Sequence, residues 1–357
     1  MKCTNSQMDQ RARRRSRIQR KRRKRQRLIA ALLICLVVLA GAGSAVGVFI
    51  FDQFQNYTAD YEAANYNSSL YQGNMFSTDL CVTAGEVSLE GFSPDPQMYS
   101  AGLFDLEKRE VLCGYNVFNK VYPASTTKVM TAYVALKYGN LDDVVTVSEN
   151  ACDFNWDEVT SGLRAGDKVT MYDLLCGLIL HSGNDCGTAI AEHISGSEEA
   201  FAELMNQEAA ALGATGSHFM NPHGLHDDNH YMTAYDLYLI FNACIQDERF
   251  VDIISMDSYT GTLTGADGAV RNEVWTPTNL YSSGTRAMPE GIRVLGGKTG
   301  TTKLAGNCLV IYEEDLENHP YISVIMGAPG RDKLYEQMDQ MMIQGITSGQ
   351  SADTDAA

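Results

Sequence analysis

The sequence predicts an α+β fold in which strands from both ends of the folded region share one sheet and a helical segment is inserted between them. Strand-like segments lie at residues 99–112, 291–310 and 321–326, whereas the helical patterns lie between residues 124 and 244. Hydrophobic residues make up 45% of the chain and charged residues 20%, a composition that can form a core. An apolar segment near the N-terminus predicts one transmembrane helix ahead of this fold.

Charge is distributed unevenly along the chain. Residues 1–27 contain 13 of the 28 Lys and Arg residues but one of the 44 acidic residues, so residues 28–357 hold 15 basic and 43 acidic side chains. A folded region this acidic is not a nucleic-acid-binding domain. We interpret residues 1–27 as a basic cytoplasmic tail.

Residues 28–51 predict the membrane anchor. They are 24 residues without a charge, and a helix of that length spans about 36 Å, more than the roughly 30 Å of a bilayer core. The adjoining basic cluster predicts an N-terminus in the cytoplasm and residues 52–357 outside, in a single-pass protein of the cell membrane. A nucleic-acid-binding tail and a signal peptide cleaved near residues 40–45 are the alternatives. Because the basic run directly precedes a long apolar stretch, we favour the anchor.

Residues 52–80 contain no Lys or Arg and many Asn, Tyr and Ser, and they predict an extracytoplasmic spacer. Residues 81–347 form the predicted folded domain, and residues 348–357 a loose tail. Seven of the nine cysteines lie in the predicted domain, and both disulfides and buried free thiols remain open for them. A bridge between Cys176 and Cys186 is one such possibility.

The elements of the domain follow from local patterns. Residues 99–112 predict two strands around a charged turn at residues 105–109, and residues 129–138 predict a helix that ends at Gly139. Two more helices are predicted at 172–180 and 197–212, and a capping box formed by Thr233 and Asp236 predicts a helix over 237–244. Residues 291–310 predict two strands around the segment 297–300, residues 321–326 another strand, and residues 338–346 a C-terminal helix.

The first motif that carries chemistry is Ser125-Thr126-Thr127-Lys128, at the start of the helix over 129–138. A serine hydroxyl needs a neighbouring base to become a nucleophile, and a lysine one helical turn away has the reach. That lysine serves only when it is neutral, so its pKa must be lowered by burial or by another cation. By itself the motif is more typical of an N-cap serine with a surface lysine.

Two further motifs follow the first in the chain. Each is weak evidence alone, but the order of the three makes them more specific. Ser182-Gly183-Asn184 provides a hydroxyl for proton relay and an amide for a substrate. Lys298-Thr299-Gly300-Thr301 provides a cation, a hydroxyl and a glycine-rich strand edge on which a peptide can pair. Lys298 would also lower the pKa of Lys128.

The three motifs together are the signature of active-site-serine penicillin-binding proteins and class A β-lactamases. The surrounding segments PASTTKVMT (123–131), LHSGND (180–185), NPHGL (221–225), TAYDL (233–237) and GKTGTTKLA (297–305) resemble the low-molecular-mass D-alanyl-D-alanine carboxypeptidases. This resemblance covers roughly residues 81–347. It implies an antiparallel sheet flanked by helices with a helical subdomain, a β-lactamase/D,D-peptidase-like fold.

The resemblance implies a function and a role for each matching residue. The substrate would be a peptidoglycan pentapeptide ending in D-Ala–D-Ala, and β-lactam antibiotics would be covalent inhibitors, with no cofactor or metal. The catalytic residues would be the nucleophile Ser125, the base Lys128 and the relay Ser182, and backbone N–H groups of Ser125 and Thr301 would form the oxyanion hole. The residues that would bind substrate are Asn184, Lys298, Thr299, Gly300, Thr301 and Arg331.

Three rivals remain open on the sequence. A β-lactamase would need a deacylating glutamate, for which Glu203, followed by Asn206, is the nearest candidate. A zinc peptidase could use the H-x2-H-x3-H pattern of His223, His226 and His230, although that stretch overlaps the 221–225 motif. A non-catalytic wall-binding protein would keep the pocket without turnover.

Overall fold

The structure is a computed structural model that describes residues 79–347, together with Lys24. The predicted basic tail, the anchor at 28–51, the spacer up to residue 78 and the tail 348–357 therefore lie outside the described residues. Within the described part, no helix combines the length and the apolar character needed to cross a membrane.

Strands from both ends of the described region form a five-stranded antiparallel sheet with the order β2-β1-β9-β8-β7. Its strands are β1 (Ser100–Asp105), β2 (Glu110–Tyr115), β7 (Ile292–Thr302), β8 (Gly306–Asp315) and β9 (Pro320–Ala328). Central β9 is buried along most of its length, because both faces of the sheet are covered. This arrangement confirms the α+β prediction and the sheet shared by both ends.

A second sheet, with the order β3-β4-β5-β6, has no counterpart in the sequence prediction. Its strands are β3 (Val144–Thr146), β4 (Lys168–Thr170), β5 (Tyr259–Thr264) and β6 (Val270–Trp275). β3 and β4 have three residues each, too few for an alternating pattern to be read from the sequence.

The helical subdomain lies between β2 and β5 in the chain. Its helices are α1 (Lys128–Tyr138), α2 (Met171–Cys176, continued by a π-helical turn Gly177–His181), α3 (Asn184–Ser195), α4 (Glu198–Ala211), α5 (Ala234–Ile245) and α6 (Glu248–Ile254). The Thr233 side chain caps α5 by accepting from the Asp236 N–H at 3.0 Å, as the capping box predicted. These helices and one face of the five-stranded sheet share a core that includes Phe104 and Val324.

Helix α7 (Arg331–Met342), extended by a π-helical turn Ile343–Thr347, covers the opposite face of the same sheet. Leu334 and Met338 of α7 pack there with Leu309 and Ile325. The sequence predicted a helix beginning at residue 338. The true start is seven residues earlier, because the first turn is charged and largely exposed and so lacks an apolar signal.

The prediction of two strands around residues 297–300 was wrong. Lys298, Thr299 and Gly300 lie inside the single strand β7, and the chain turns at residues 303–305 instead. The glycines do not end the strand. Gly300 faces the backbone of residues 123–126, so a residue without a side chain is needed there for close packing rather than for a turn.

Candidate active site

Ser125 lies in a 3₁₀ turn, Ala124–Thr127, that leads directly into α1. This turn packs against the edge strand β7. A Cβ atom at Gly300 would lie 2.8 Å from the Pro123 carbonyl oxygen and 3.0 Å from the Ser125 nitrogen. The absence of a side chain at Gly300 therefore lets the backbone of the serine turn approach the strand that carries Thr301.

Lys128 is fully buried and has three hydrogen-bond partners. Its Nζ lies 3.0 Å from Ser125 Oγ, 2.7 Å from Asn184 Oδ1 and 2.7 Å from the carbonyl oxygen of His223. Burial, and then the positive charge of Lys298, hold the pKa of Lys128 well below its usual value. The side chain therefore has the low pKa that a lysine base requires.

Lys298 faces the same group of side chains from β7. Its Nζ donates to Ser182 Oγ at 2.9 Å and to the carbonyl oxygen of Thr299 at 3.0 Å, and burial lowers its pKa to about 7. Ser182 adopts a left-handed conformation with φ of 68° at the end of the π-helical turn. Such a conformation is strained for a serine, and here it accompanies the hydrogen bond between the Ser182 hydroxyl and Lys298.

A cavity of about 160 Å³ opens in front of these groups. Polar residues of its wall include Ser125, Ser182, Thr299, Thr301 and Arg331. Lys298 and Lys128 lie behind that wall. Arg331, the first residue of α7, forms no ion pair with another described residue, so its guanidinium is available to an anionic ligand in the cavity.

The structure thus brings together the nine residues that the sequence singled out, in two layers. Five line the cavity directly with Gly300, and the two lysines and Asn184 lie beneath them. The sequence assigned Lys298 a direct contact with a substrate carboxylate. Its position points instead to Thr299 and Arg331 as the groups in contact, with the Lys298 charge acting from behind.

The carbonyl of His223 is a partner that sequence reasoning missed. It belongs to the loop 221–225, in which Gly224 has φ of +84° and no room for a Cβ, since that atom would lie 1.9 Å from the Ala124 carbonyl oxygen. In the same loop the Pro222 carbonyl accepts from Thr131 of α1 at 2.5 Å. The motif was visible in the sequence, but a backbone acceptor carries no residue signal.

Asp185 is a second missed contributor. Its buried carboxylate accepts from the backbone N–H groups of Ser161 and Leu163 and from that of Cys186. The Asn184 N–H also donates to the Val159 carbonyl at 2.8 Å, and Val159 lines the cavity. Asp185 thus clamps the loop after residue 153 to the start of α3, beside Ser182.

The residues that a β-lactamase or a zinc peptidase would need are not arranged for those reactions. Glu203 is exposed on α4, and Asn206 of the same helix holds the backbone of Phe219. His223 Nε2 faces Glu198 at 3.7 Å, His230 Nε2 faces Thr127 Oγ1 at 2.8 Å, and His226 Nε2 faces Asp228 at 3.3 Å. The three imidazoles therefore do not converge on a common point.

The seven cysteines between residues 79 and 347 are free thiols. Cys186 is fully buried behind the site, and burial raises its pKa well above the ordinary thiol value. The possible bridge between Cys176 and Cys186 is therefore absent from the structure, and the loop at Ser182 is held by Asp185 instead.

Comparisons with known proteins identify one family. The model of the peptidase S11 family, D-alanyl-D-alanine carboxypeptidase, matches residues 92–330. The D-alanyl-D-alanine carboxypeptidase DacA of Haemophilus influenzae is 36% identical over 267 residues, which cover 71% of this chain and 64% of that protein. DacF of Bacillus subtilis, with the same description, is 32% identical over 248 residues, covering 68% and 60%. The chain thus spans less than two thirds of the length of these relatives.

A solved structure shows the same fold over its full length. The DD-transpeptidase of Streptomyces K15 superimposes with a TM-score of 0.66 at 26% identity, covering 71% of this chain and 99% of that one.

Proposed function

Because the chain belongs to the peptidase S11 family of D-alanyl-D-alanine carboxypeptidases, we propose that it hydrolyses the terminal D-Ala–D-Ala bond of peptidoglycan stem peptides. The reaction passes through an acyl-enzyme on Ser125. The observation that carries the proposal is the hydrogen-bonding pattern around Lys128.

A neutral lysine amine has two N–H groups and one lone pair. In Lys128 the two N–H groups have obligate acceptors, the Asn184 amide oxygen and the His223 carbonyl oxygen, each 2.7 Å away. The lone pair is then directed at the remaining partner, Ser125 Oγ at 3.0 Å. The amine accepts the serine proton as Oγ attacks the penultimate carbonyl carbon.

The developing oxyanion is stabilised by the backbone N–H groups of Ser125 and Thr301. The substrate's terminal carboxylate binds Thr299 and Arg331, supported by the Lys298 charge. Asn184 lies beneath the cavity wall and holds Lys128 through its amide oxygen. Fixed donors of this kind cost no reorganisation during the reaction, which is why they stabilise the transition state effectively.

The leaving D-alanine nitrogen takes up a proton as the C–N bond breaks. This is the proton that Lys128 accepted from Ser125, so Lys128 becomes neutral again. Ser182 relays it beside Ser125, and Lys298 holds the Ser182 hydroxyl through a hydrogen bond at 2.9 Å. Water then attacks the ester carbonyl and gives its proton to Lys128. Lys128 returns that proton to Ser125 Oγ as the ester C–O bond breaks, which releases the shortened peptide and restores both Ser125 and the neutral amine. In a β-lactam the leaving group stays tethered to the acyl group, so the same attack yields a persistent acyl-enzyme.

We further propose that residues 28–51 anchor the protein in the cytoplasmic membrane, with residues 81–347 outside. The uncharged 24-residue stretch after a basic cluster supports this topology. It places the domain on the side of the membrane where peptidoglycan is found.

The first experiment is labelling of the membrane fraction with a fluorescent penicillin, for the wild type and Ser125→Ala, with and without EDTA. We expect a band that requires Ser125 and is unaffected by EDTA. In parallel, the purified protein should release D-alanine from a pentapeptide ending in D-Ala–D-Ala.

Other outcomes of these two experiments would support one of the three alternative functions. Release of D-alanine that EDTA abolishes and Ser125→Ala spares would move the reaction to a metal site. A Ser125 adduct without D-alanine release would make the protein a wall-binding module, and rapid turnover of penicillin would make it a β-lactamase.

A further inference from the structure

A second groove, larger than the catalytic cavity, lies beside the serine turn. Its volume is about 790 Å³, against about 160 Å³ for the catalytic cavity. We call it the tyrosine groove, after the four tyrosines among its lining residues: Tyr99, Tyr115, Tyr122 and Tyr231. The reaction proposed above makes no use of it.

The polar lining of the tyrosine groove is suited to an uncharged, hydroxyl-rich ligand. The side chains of Asn116 and Asn119 line it without a hydrogen bond to another described residue. Asn116 is held in a left-handed conformation with φ of 49°. Lys120 Nζ lies 4.2 Å from the centroid of the Tyr231 ring and covers one face of it, so this cation is already paired within the groove. Aromatic faces next to free amides match a sugar ring, which has an apolar C–H face and a rim of hydroxyl and acetamido groups.

Two residues that line the groove are close in the chain to residues of the catalytic site. Tyr122 lies three residues before Ser125, and Leu304, in the turn after β7, lines the groove three residues beyond Thr301. Three residues of extended chain span about 10 Å. The groove therefore begins within a few residues of the reacting carbonyl.

The direction of the bound peptide follows from the proposed contacts. If the terminal carboxylate lies at Thr299 and the reacting carbonyl at Thr301, the chain leading back from the carbonyl continues along β7 toward residues 302–304. A peptide that pairs with the strand edge in this direction is antiparallel to β7. Its amino-terminal part, which is joined to the sugar in peptidoglycan, then points to Leu304 and the groove.

We infer that the tyrosine groove binds the saccharide end of the substrate, the amino-sugar to which the stem peptide is attached. This inference rests on the proposed function. It makes the preferred substrate a sugar-linked stem peptide rather than a free peptide. Binding of a remote part of a substrate raises kcat/KM at the reacting bond when it helps to position that bond.

The test compares two substrates that differ only in the sugar: a free pentapeptide ending in D-Ala–D-Ala, and the same pentapeptide attached to its disaccharide. D-alanine release is measured for both. We expect the wild type to have a kcat/KM about tenfold or more higher for the disaccharide-linked peptide, a difference of about 1.4 kcal/mol.

Two variants address the groove in opposite ways. Tyr99→Ala removes a ring that is 43% exposed, and Asn119→Trp fills the space. Both should reduce the ratio of the two kcat/KM values to nearly one. Tyr138→Ala is the matched control, since Tyr138 is 49% exposed at the end of α1 and does not line the groove; it should keep the wild-type ratio. The rate of Ser125 acylation by penicillin reports on folding in every variant.

Two results would overturn the inference: a ratio near one in the wild type, or a high ratio that persists in both groove variants. Failure of the proposed function has a different signature. In that case neither substrate releases D-alanine from a wild type that is folded by circular dichroism.

Discussion

Two buried lysines occupy the centre of the site, and the charge of one affects the pKa of the other. Lys128 and Lys298 are both fully buried, and the charge of Lys298 contributes to the lowered pKa of Lys128. Neither makes an ion pair with a carboxylate of residues 79–347; their partners there are hydroxyl, amide and carbonyl oxygens. A buried cation with neutral partners loses part of its hydration energy, so this arrangement serves the chemistry at a cost in stability.

The proposed reaction needs the two lysines in opposite charge states, and this predicts how activity depends on pH. Lys128 must be neutral and Lys298 charged, so kcat/KM should rise as Lys128 loses its proton and fall as Lys298 loses its own, above about pH 7. Lys298→Arg should shift the alkaline limb to higher pH, because a guanidinium stays protonated there. The check is a pH profile of D-alanine release for both proteins. An unchanged alkaline limb in the variant would assign that limb to another group.

The stability cost of Lys298 can be measured directly. Its pKa is lowered from 10.5 to about 7 in the folded protein. The buried charge of Lys298 therefore lowers the free energy of unfolding. This loss of stability is complete below about pH 7 and disappears as the pH approaches 10.5, the pKa of the unfolded state. Lys298→Met should therefore raise the unfolding free energy at pH 7 by roughly 1–3 kcal/mol, after the loss of the Ser182 hydrogen bond, while it abolishes D-alanine release. Urea unfolding at pH 7 and pH 10 would test the sign, since the gain should be smaller at pH 10.

At the scale of elements, the site depends on the contact between the 3₁₀ turn Ala124–Thr127 and strand β7. In the proposed reaction the turn carries the nucleophile Ser125 and one oxyanion donor, and the strand carries the other donor, Thr301, and the carboxylate-binding Thr299. Only glycine at position 300 permits their separation to be this small. The loop 221–225 holds Lys128 through a backbone carbonyl. Asp185 holds the segment beside Ser182 through backbone N–H groups.

Gly300→Ala tests that contact. Its Cβ would meet three backbone atoms at 2.8–3.0 Å, so the turn or the strand must shift. We expect the rate of penicillin acylation to fall by about 100-fold or more, because a displacement of about 1 Å at the reacting groups has effects of that size. Gly85→Ala is the control, as no atom lies within 4 Å of its added Cβ. An acylation rate in Gly300→Ala equal to that of the control would show that the contact does not position Ser125.

At the scale of the whole molecule, the segment at Cys81, the predicted start of the folded domain, is held by side chains of the helical subdomain. The Cys81 N–H donates to Tyr238 Oη and the Cys81 carbonyl accepts from Tyr235 Oη, both at 2.8 Å. These contacts attach the start of the domain to α5. The sheet is closed by β1 next to β9, so the two ends of the domain stabilise each other.

A chain that starts at Asp79 should therefore fold and react with penicillin at the full-length rate. A chain that starts at Glu86 loses both Cys81 hydrogen bonds and should be less stable by about 1–3 kcal/mol. Thermal unfolding of the two purified chains, with the acylation rate as a check of the site, measures the difference. Equal melting temperatures would mean that the domain begins after residue 85.

The sequence alone was sufficient to predict the α+β class, the β1–β2 hairpin, most helices and the residues of the site. Those residues are recognised by their side-chain chemistry and by their spacing along the sequence. The capping box at Thr233 depends only on residues that are close in the chain. The structure was needed for what depends on distant backbone: the His223 carbonyl at Lys128, the close approach of Gly300 to the serine turn, and the second sheet with its three-residue strands. It also corrected the position of Lys298, which lies within β7 and behind the cavity wall. A backbone acceptor or a close packing contact has no residue type of its own, so it becomes visible only when the chain is folded.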